Sequence, residues 1–206
     1  MKTLKLNSFL LSILLAFYSL TIHAEVSATD QLKSSIEQIL NVLKDKSIER
    51  ESRRNQIRTL INDRFYFRAM SQQALARNWK KASTQQQDKF VTLFSKLLEK
   101  TYIGRIEAYT DERVEYLREK TKSPTRSVVY TQIVTKSADI PINYKLALKD
   151  DKWLVYDVVI EEVSLISNYR SSYDEIIKKD GMDGLLVKME QKVLEDDNAQ
   201  KSADAG

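Results

Sequence analysis

The chain has 206 residues, with 33 Lys and Arg against 29 Asp and Glu, a formal net charge of +4, no cysteine and one histidine, His23. Disulfide staples and thiolate metal sites are therefore excluded, and so balanced a charge does not suit a protein that grips nucleic acid through a broad basic face. The length fits about one domain, long enough to bury a core without cross-links.

In chain order, the first segment reads as an export signal. Lys2 and Lys5 form a positive start, residues 9–20 are an almost unbroken apolar run, and Ile22-His23-Ala24 ends it on a small residue suited to signal peptidase. The run falls short of the roughly 20 apolar residues that span a bilayer, and no later segment approaches a span. Cleavage after Ala24 leaves 182 residues and a net charge of +2, and removes His23. The mature chain then has neither His nor Cys, which rules out a Ser-His-Asp site, a Cys-His nucleophile and His-ligated zinc. Carboxylate, Lys or Tyr chemistry, or a carboxylate-bound metal, is what an enzyme could still use.

The N-terminal half of the mature chain has helical periodicity. Leu32, Ile36, Ile39, Leu40 and Leu43 share a stripe that Asp30 can cap. A second helix is predicted over residues 48–65, with Ile57, Leu60 and Ile61 inward, and a shorter one over 69–77. Ser83 and Gln86 make a capping-box pattern ahead of the longest helix, residues 83–109. Phe90, Phe94, Leu97, Leu98, Tyr102, Ile106 and Tyr109 mark its apolar face. It would extend about 40 Å, with Gly104 inside it at a cost of about 1 kcal/mol relative to Ala.

From Val114 the period changes to two. Val114 and Tyr116 begin one strand, and Val128, Tyr130, Gln132 and Val134 share a face of the next. Ile142, Tyr144, Leu146 and Leu148 alternate in a third, joined through Lys149-Asp150-Asp151-Lys152 to a fourth over residues 153–160. Helical spacing returns from about Ser164, stops at Asp180-Gly181 and resumes in a short helix that Asp183 can cap. Residues 195–206 read as a disordered polar tail. Helices, an antiparallel curved sheet and helices again define a single-domain α+β fold. A bent sheet with helices across its concave side makes a cone, filled by side chains or by a ligand.

Three segments carry a family resemblance: FYFRAMSQQALARNW with STQQQDKFVTLF (residues 65–79 and 83–94), WLVYDVVIEEVSLISNYR (153–170) and DGMDGLL (180–186). In order and spacing the chain resembles the MlaC-type periplasmic phospholipid-binding family of the Mla lipid-asymmetry pathway, also called the toluene-tolerance family. The likeness runs from about residue 30 to 194. It departs at Glu162 and Ala76, where the family usually or commonly has Gly.

The resemblance implies an NTF2-like fold extended by helices, with an apolar pocket for the acyl chains of a diacyl phospholipid. It implies no catalytic residue, no metal and no cofactor other than lipid as cargo. It also implies periplasmic shuttling between an outer-membrane lipoprotein complex and the substrate-binding ring of an inner-membrane ABC transporter, with transient membrane proximity, to maintain outer-membrane lipid asymmetry. Residues 1–24 are then the signal peptide, 25–194 one phospholipid-binding domain and 195–206 the tail, in a protein expected to be monomeric. Under that reading the pocket lining is Phe94, Leu98, Tyr102, Ile106, Tyr109, Val128, Tyr130, Tyr144, Leu146, Trp153, Val155, Val163 and Ile166. Each of these could equally be ordinary core. Arg170 is placed at the mouth near a phosphate, or else on a helix surface. The Arg50-Glu51-Ser52-Arg53-Arg54 cluster is either a docking patch or a solvated face.

Two alternatives stay open on the residues. One is a cofactor-free enzyme of the NTF2-like class using a buried Asp157, which alternation puts beside Trp153 and Val155, together with a tyrosine. The other is a pocketless periplasmic adaptor.

Overall fold

The computed structural model describes residues 27–108, 113–136 and 138–204, with side chains to residue 199. The leader at residues 1–24 lies outside them, as does Tyr109. Helix α1 (Ala28–Lys44) is capped by Ser27, whose Oγ accepts from the Asp30 amide at 3.0 Å. Asp30, expected as the cap, sits instead in the first turn, where a carboxylate complements the helix dipole. Helix α2 (Arg50–Arg64) starts at Glu49 and α3 (Phe67–Leu75) runs into a 3₁₀ segment, Ala76–Lys81. Helix α4 (Thr84–Glu107) opens with the predicted capping box: the Ser83 amide donates to Gln86 Oε1 at 2.9 Å and the Gln86 amide to Ser83 Oγ at 3.2 Å.

The sheet is an antiparallel meander in the order β1 (Arg113–Ser123), β2 (Arg126–Val134), β3 (Asp139–Lys149), β4 (Lys152–Ile160) and β5 (Val163–Ser164). Both residues of the β3–β4 turn, Asp150 and Asp151, have positive φ, the backbone that lets a two-residue hairpin follow the strand twist. Helix α5 (Leu165–Asp204) is broken at Gly181, whose φ of 72° and ψ of −179° end the helix where Asp180-Gly181 was predicted to stop it.

The tail expected to be disordered from Glu195 is helical to Asp204. Its Lys, Glu, Asp, Gln and Ala residues are compatible with a helix. Lys192–Asp196 pairs one turn apart at 2.8 Å, and Lys100 of α4 pairs with Asp197. Among the described residues no helix is long and apolar enough to cross a membrane.

Three apolar clusters hold these elements together. The first joins α3, α4 and α5 through Met70, Phe90, Phe94, Leu98, Ile166, Tyr173, Leu185 and Met189. The second packs Ala28 and Leu32 of α1 on the sheet, against Val129, Leu146, Trp153, Val155 and Val158. The third, smaller one gathers Leu43, Ile57 and Ile103 where α1, α2 and α4 meet. Arg54, 5% exposed, locks that corner: it donates to Glu107 at 2.6 and 3.0 Å and to Glu51 at 2.8 Å. Glu107 raises the Arg54 pKa further above its ordinary value, despite burial. The basic cluster at the start of α2 is thus in part an internal clamp on the end of α4.

Candidate functional site

The three clusters do not close on one another. They surround a cavity of about 650 Å³, within the range of about 300–1,000 Å³ typical of small-ligand sites. Its walls come from every layer: Leu32, Ile36, Ile39, Leu40 and Leu43 of α1, Ile61 of α2, Phe67 and Met70 of α3, and Leu98, Tyr102 and Ile106 of α4. The sheet contributes Val114, Ile133, Ile140, Ile142, Tyr144, Val158 and Ile160. Sealed and dry, a void of this size would cost on the order of 15 kcal/mol at about 24 cal/mol per Å³, as much as the whole stability of a typical domain. The hollow is too large to be a packing defect. Exposed Arg105, Ala108 and Glu161 mark where it reaches the surface.

Most polar groups in the wall are engaged within the protein. Arg64 donates to Ser35 Oγ at 2.7 Å, to Gln31 Oε1 at 2.9 Å and to the Trp153 carbonyl at 2.7 Å, tying α1 and α2 to the start of β4. Burial lowers the Arg64 pKa. Glu99 accepts from Arg58 at 2.5 Å. Arg105 has no ion-pair partner among the described residues, and its guanidinium lies 5.6 Å from the Tyr102 ring centre. Burial raises the Tyr102 pKa, with Tyr169 adding and Arg105 opposing. The Tyr144 hydroxyl is pushed up to about 12 by burial.

Of the residues predicted to line a pocket, Leu98, Tyr102, Ile106 and Tyr144 do so. Phe94 and Ile166 are sealed in the α3–α4–α5 core, and Leu146, Trp153 and Val155 in the contact between α1 and the sheet. Val128 and Tyr130 face the other way. The inner positions of β2 are Ser127, Val129, Thr131 and Ile133, while Tyr130 stacks under Arg118 on the outer face at 3.7 Å. Val163 is 62% exposed. Arg170, placed at the mouth on sequence, is exposed on α5 and donates to the Gln73 carbonyl at 2.8 Å, away from the cavity. The α1 stripe shows in the sequence as helical periodicity alone, because nothing local tells which side of a helix meets a hollow.

Asp157 does not line the cavity. A bulge leaves Tyr156 without a partner, so Val155 pairs with Leu146 but Asp157 pairs with Lys145. Beyond the bulge Val158 and Ile160 face inward, and Asp157 turns to the opposite side of β4. There it is 3% exposed, accepting from Lys145 Nζ at 2.8 Å, Ser164 Oγ at 2.8 Å and the Ile166 amide at 3.2 Å. Ser164 Oγ in turn accepts from the Ser167 amide at 3.1 Å. Asp157 therefore fastens the start of α5, and the alternation that put it beside Val155 fails at one inserted residue.

The family model described as "MlaC protein" matches residues 33–191. The chain belongs to the MlaC family. It is 25% identical over 170 residues to the "intermembrane phospholipid transport system binding protein MlaC" of Haemophilus influenzae, covering 80% of this chain and 78% of that one. Its fold is similar to that of a Ralstonia solanacearum phospholipid-binding protein solved in complex with a phospholipid. There the TM-score is 0.75 at 22% identity, over 82% of this chain and 98% of the other.

The two positions where the resemblance leads to an expectation of glycine fall on strained backbone. Ala76 has φ 47° and ψ −120°, and Glu162 has φ 67° beside Glu161 at 47°. Glycine adopts such angles without penalty, whereas a side chain costs about 1–2 kcal/mol. The glycine expectation thus has a backbone cause at both positions. Glu161 and Glu162 form the whole two-residue turn from β4 to β5, at the edge of the cavity.

Proposed function

We propose that this protein is an exported periplasmic carrier. It holds the acyl chains of a diacyl phospholipid in the cavity and passes the lipid between an outer-membrane lipoprotein complex and the substrate-binding ring of an inner-membrane ABC transporter, sustaining outer-membrane lipid asymmetry. The apolar cavity, walled mostly by aliphatic side chains from five helices and the sheet, carries this reading. Membership of the MlaC family and the phospholipid named for its relatives support it.

The physical need is clear. Exposing an acyl chain to water costs about 0.8 kcal/mol per methylene, or roughly 20–25 kcal/mol for two ordinary chains. An apolar pocket substitutes for the bilayer interior, so that lipid moves from membrane to protein at nearly constant free energy. Burial of hydrocarbon, with no bond made or broken, is the work of the site. Arg105 at the mouth, rather than Arg170, is the cation placed to meet the headgroup phosphate.

Mass spectrometry of organic extracts of the purified mature protein tests the reading. We expect stoichiometric phospholipid, and its loss from Tyr102→Asp, which sets a charge in the apolar wall. A small polar metabolite in the extract, or a protein that stays empty when offered phospholipid vesicles, would overturn it.

A further inference from the structure

Tyr144 is the one aromatic hydroxyl of the inner sheet face that lies in the cavity wall without a protein partner among the described residues. It sits at mid-strand in β3, between Val129 of β2 and Val158 of β4, with Ile142 and Leu146 on the same face of its own strand. Every one of these neighbours is aliphatic. Elsewhere in the wall Arg64 bonds Ser35 and Gln31, Glu99 accepts from Arg58, and Tyr102 lies under the Arg105 guanidinium. Tyr144 is only partly buried, and the cavity is where its remaining surface is exposed. Phenylalanine would fill the same space without a desolvated O–H. The hydroxyl therefore gains a partner only when the occupant brings an acceptor beside it.

Building on the carrier reading, we propose that Tyr144 donates a hydrogen bond to an acyl ester carbonyl of the bound lipid. The cavity thereby becomes selective for ester-linked over ether-linked chains. An occupant that fits an aliphatic wall is mostly hydrocarbon, and the acceptor that a diacyl lipid carries closest to its hydrocarbon is the ester carbonyl. Strongly held in its neutral form, the phenol is a donor throughout the physiological range. The bond also fixes how far the chains enter, since the carbonyls sit at a set distance from the chain ends.

The test is competitive loading of wild-type protein and Tyr144→Phe with two phosphatidylglycerols of equal chain length, one diester and one diether, read by native mass spectrometry. Wild type should prefer the diester by about fivefold to tenfold, the worth of one neutral hydrogen bond. Tyr144→Phe should bind the diether as wild type does and show no preference. A structural role for Tyr144 would lower both affinities and leave the ratio unchanged, which overturns the proposal. Equal binding of the two lipids by wild type overturns it too, without any variant, while leaving the carrier reading intact. Failure of wild type to load either lipid removes both.

Discussion

The two halves of helix α4 face different interiors. From Phe90 to Leu97 its apolar stripe is sealed against α3 and α5. There Phe90 and Phe94 stack at 5.4 Å, and Tyr169 and Tyr173 meet them edge-on at 5.2 and 5.5 Å. From Leu98 to Ile106 the same stripe borders the hollow. The residue types do not differ in hydrophobicity; the partners do. Interlocking aromatic rings and the close passage of α5 fill one end, while α1, held off by its contacts with the sheet, leaves the other open. An amphipathic stripe reports that a face is turned from bulk water, and packing alone decides whether protein or ligand meets it.

Substitutions at the two ends should separate them, and the largest effect belongs to the packed end. Phe94→Ala should lower unfolding free energy by about 3–5 kcal/mol in urea titration, since its neighbours cannot collapse into the space. Arg54→Ala, next in size, should cost about 3 kcal/mol by leaving Glu107 only its longer 3.9 Å pairing with Arg50 at the corner that holds α1, α2 and α4 together. Its effect should exceed that of Arg68→Ala, whose partner Asp88 is exposed. If the two were equal, the corner would not be a clamp.

Glu119 sharpens the contrast from the sheet side. It receives the Thr29 amide at 2.9 Å, the Thr29 hydroxyl at 2.7 Å and the Ser127 hydroxyl at 2.7 Å, fixing the start of α1 to β1 and β2. Burial raises its pKa, but these hydrogen bonds outweigh that and leave it below the ordinary 4.5. A depressed carboxylate stabilises the fold fully above its unfolded pKa, and the contribution fades as pH falls through the folded value. Stability should therefore decline below about pH 4.5, and Glu119→Gln should flatten that decline as well as lower the plateau. An unchanged slope would mean that the tether carries no linkage.

Ala76→Gly and Glu162→Gly should each raise the melting temperature, by the equivalent of about 1 kcal/mol, through relief of left-handed strain. A loss instead would show that side-chain contacts at these corners exceed the strain. Smallest of all, Ile39→Ala at the open end should change the stability of the empty protein by less than about 1 kcal/mol, because its side chain already borders unfilled space. Its effect should appear in lipid retention. A loss matching that of Phe94→Ala would show that the hollow closes in solution.

The helices, their order and the α4 cap were legible because they depend on neighbours three and four residues away. The four long strands, the β3–β4 hairpin and the stop at Gly181 were equally local, whereas the two-residue β5 left no periodic signal. Reading the pocket failed where the answer was tertiary. Phe94 and Ile39 carry indistinguishable helical signals, and only the path of α5 sends one to the core. Val128 and Tyr130 were given the wrong face because both faces of β2 carry apolar residues, so the alternation has no unique phase. The extension of α5 past Glu195 depends partly on Lys100, almost a hundred residues away.

The bulge at Tyr156 resets the phase of β4 midway along its length. Upstream and downstream of it, hydrocarbon is presented to the same side, although the positions differ in parity. The slot released on the reverse side is given to a carboxylate that anchors the following helix. One strand thereby meets two incompatible demands, an oily inner surface and an ionic fastening outside, through a shift in counting rather than a change in composition.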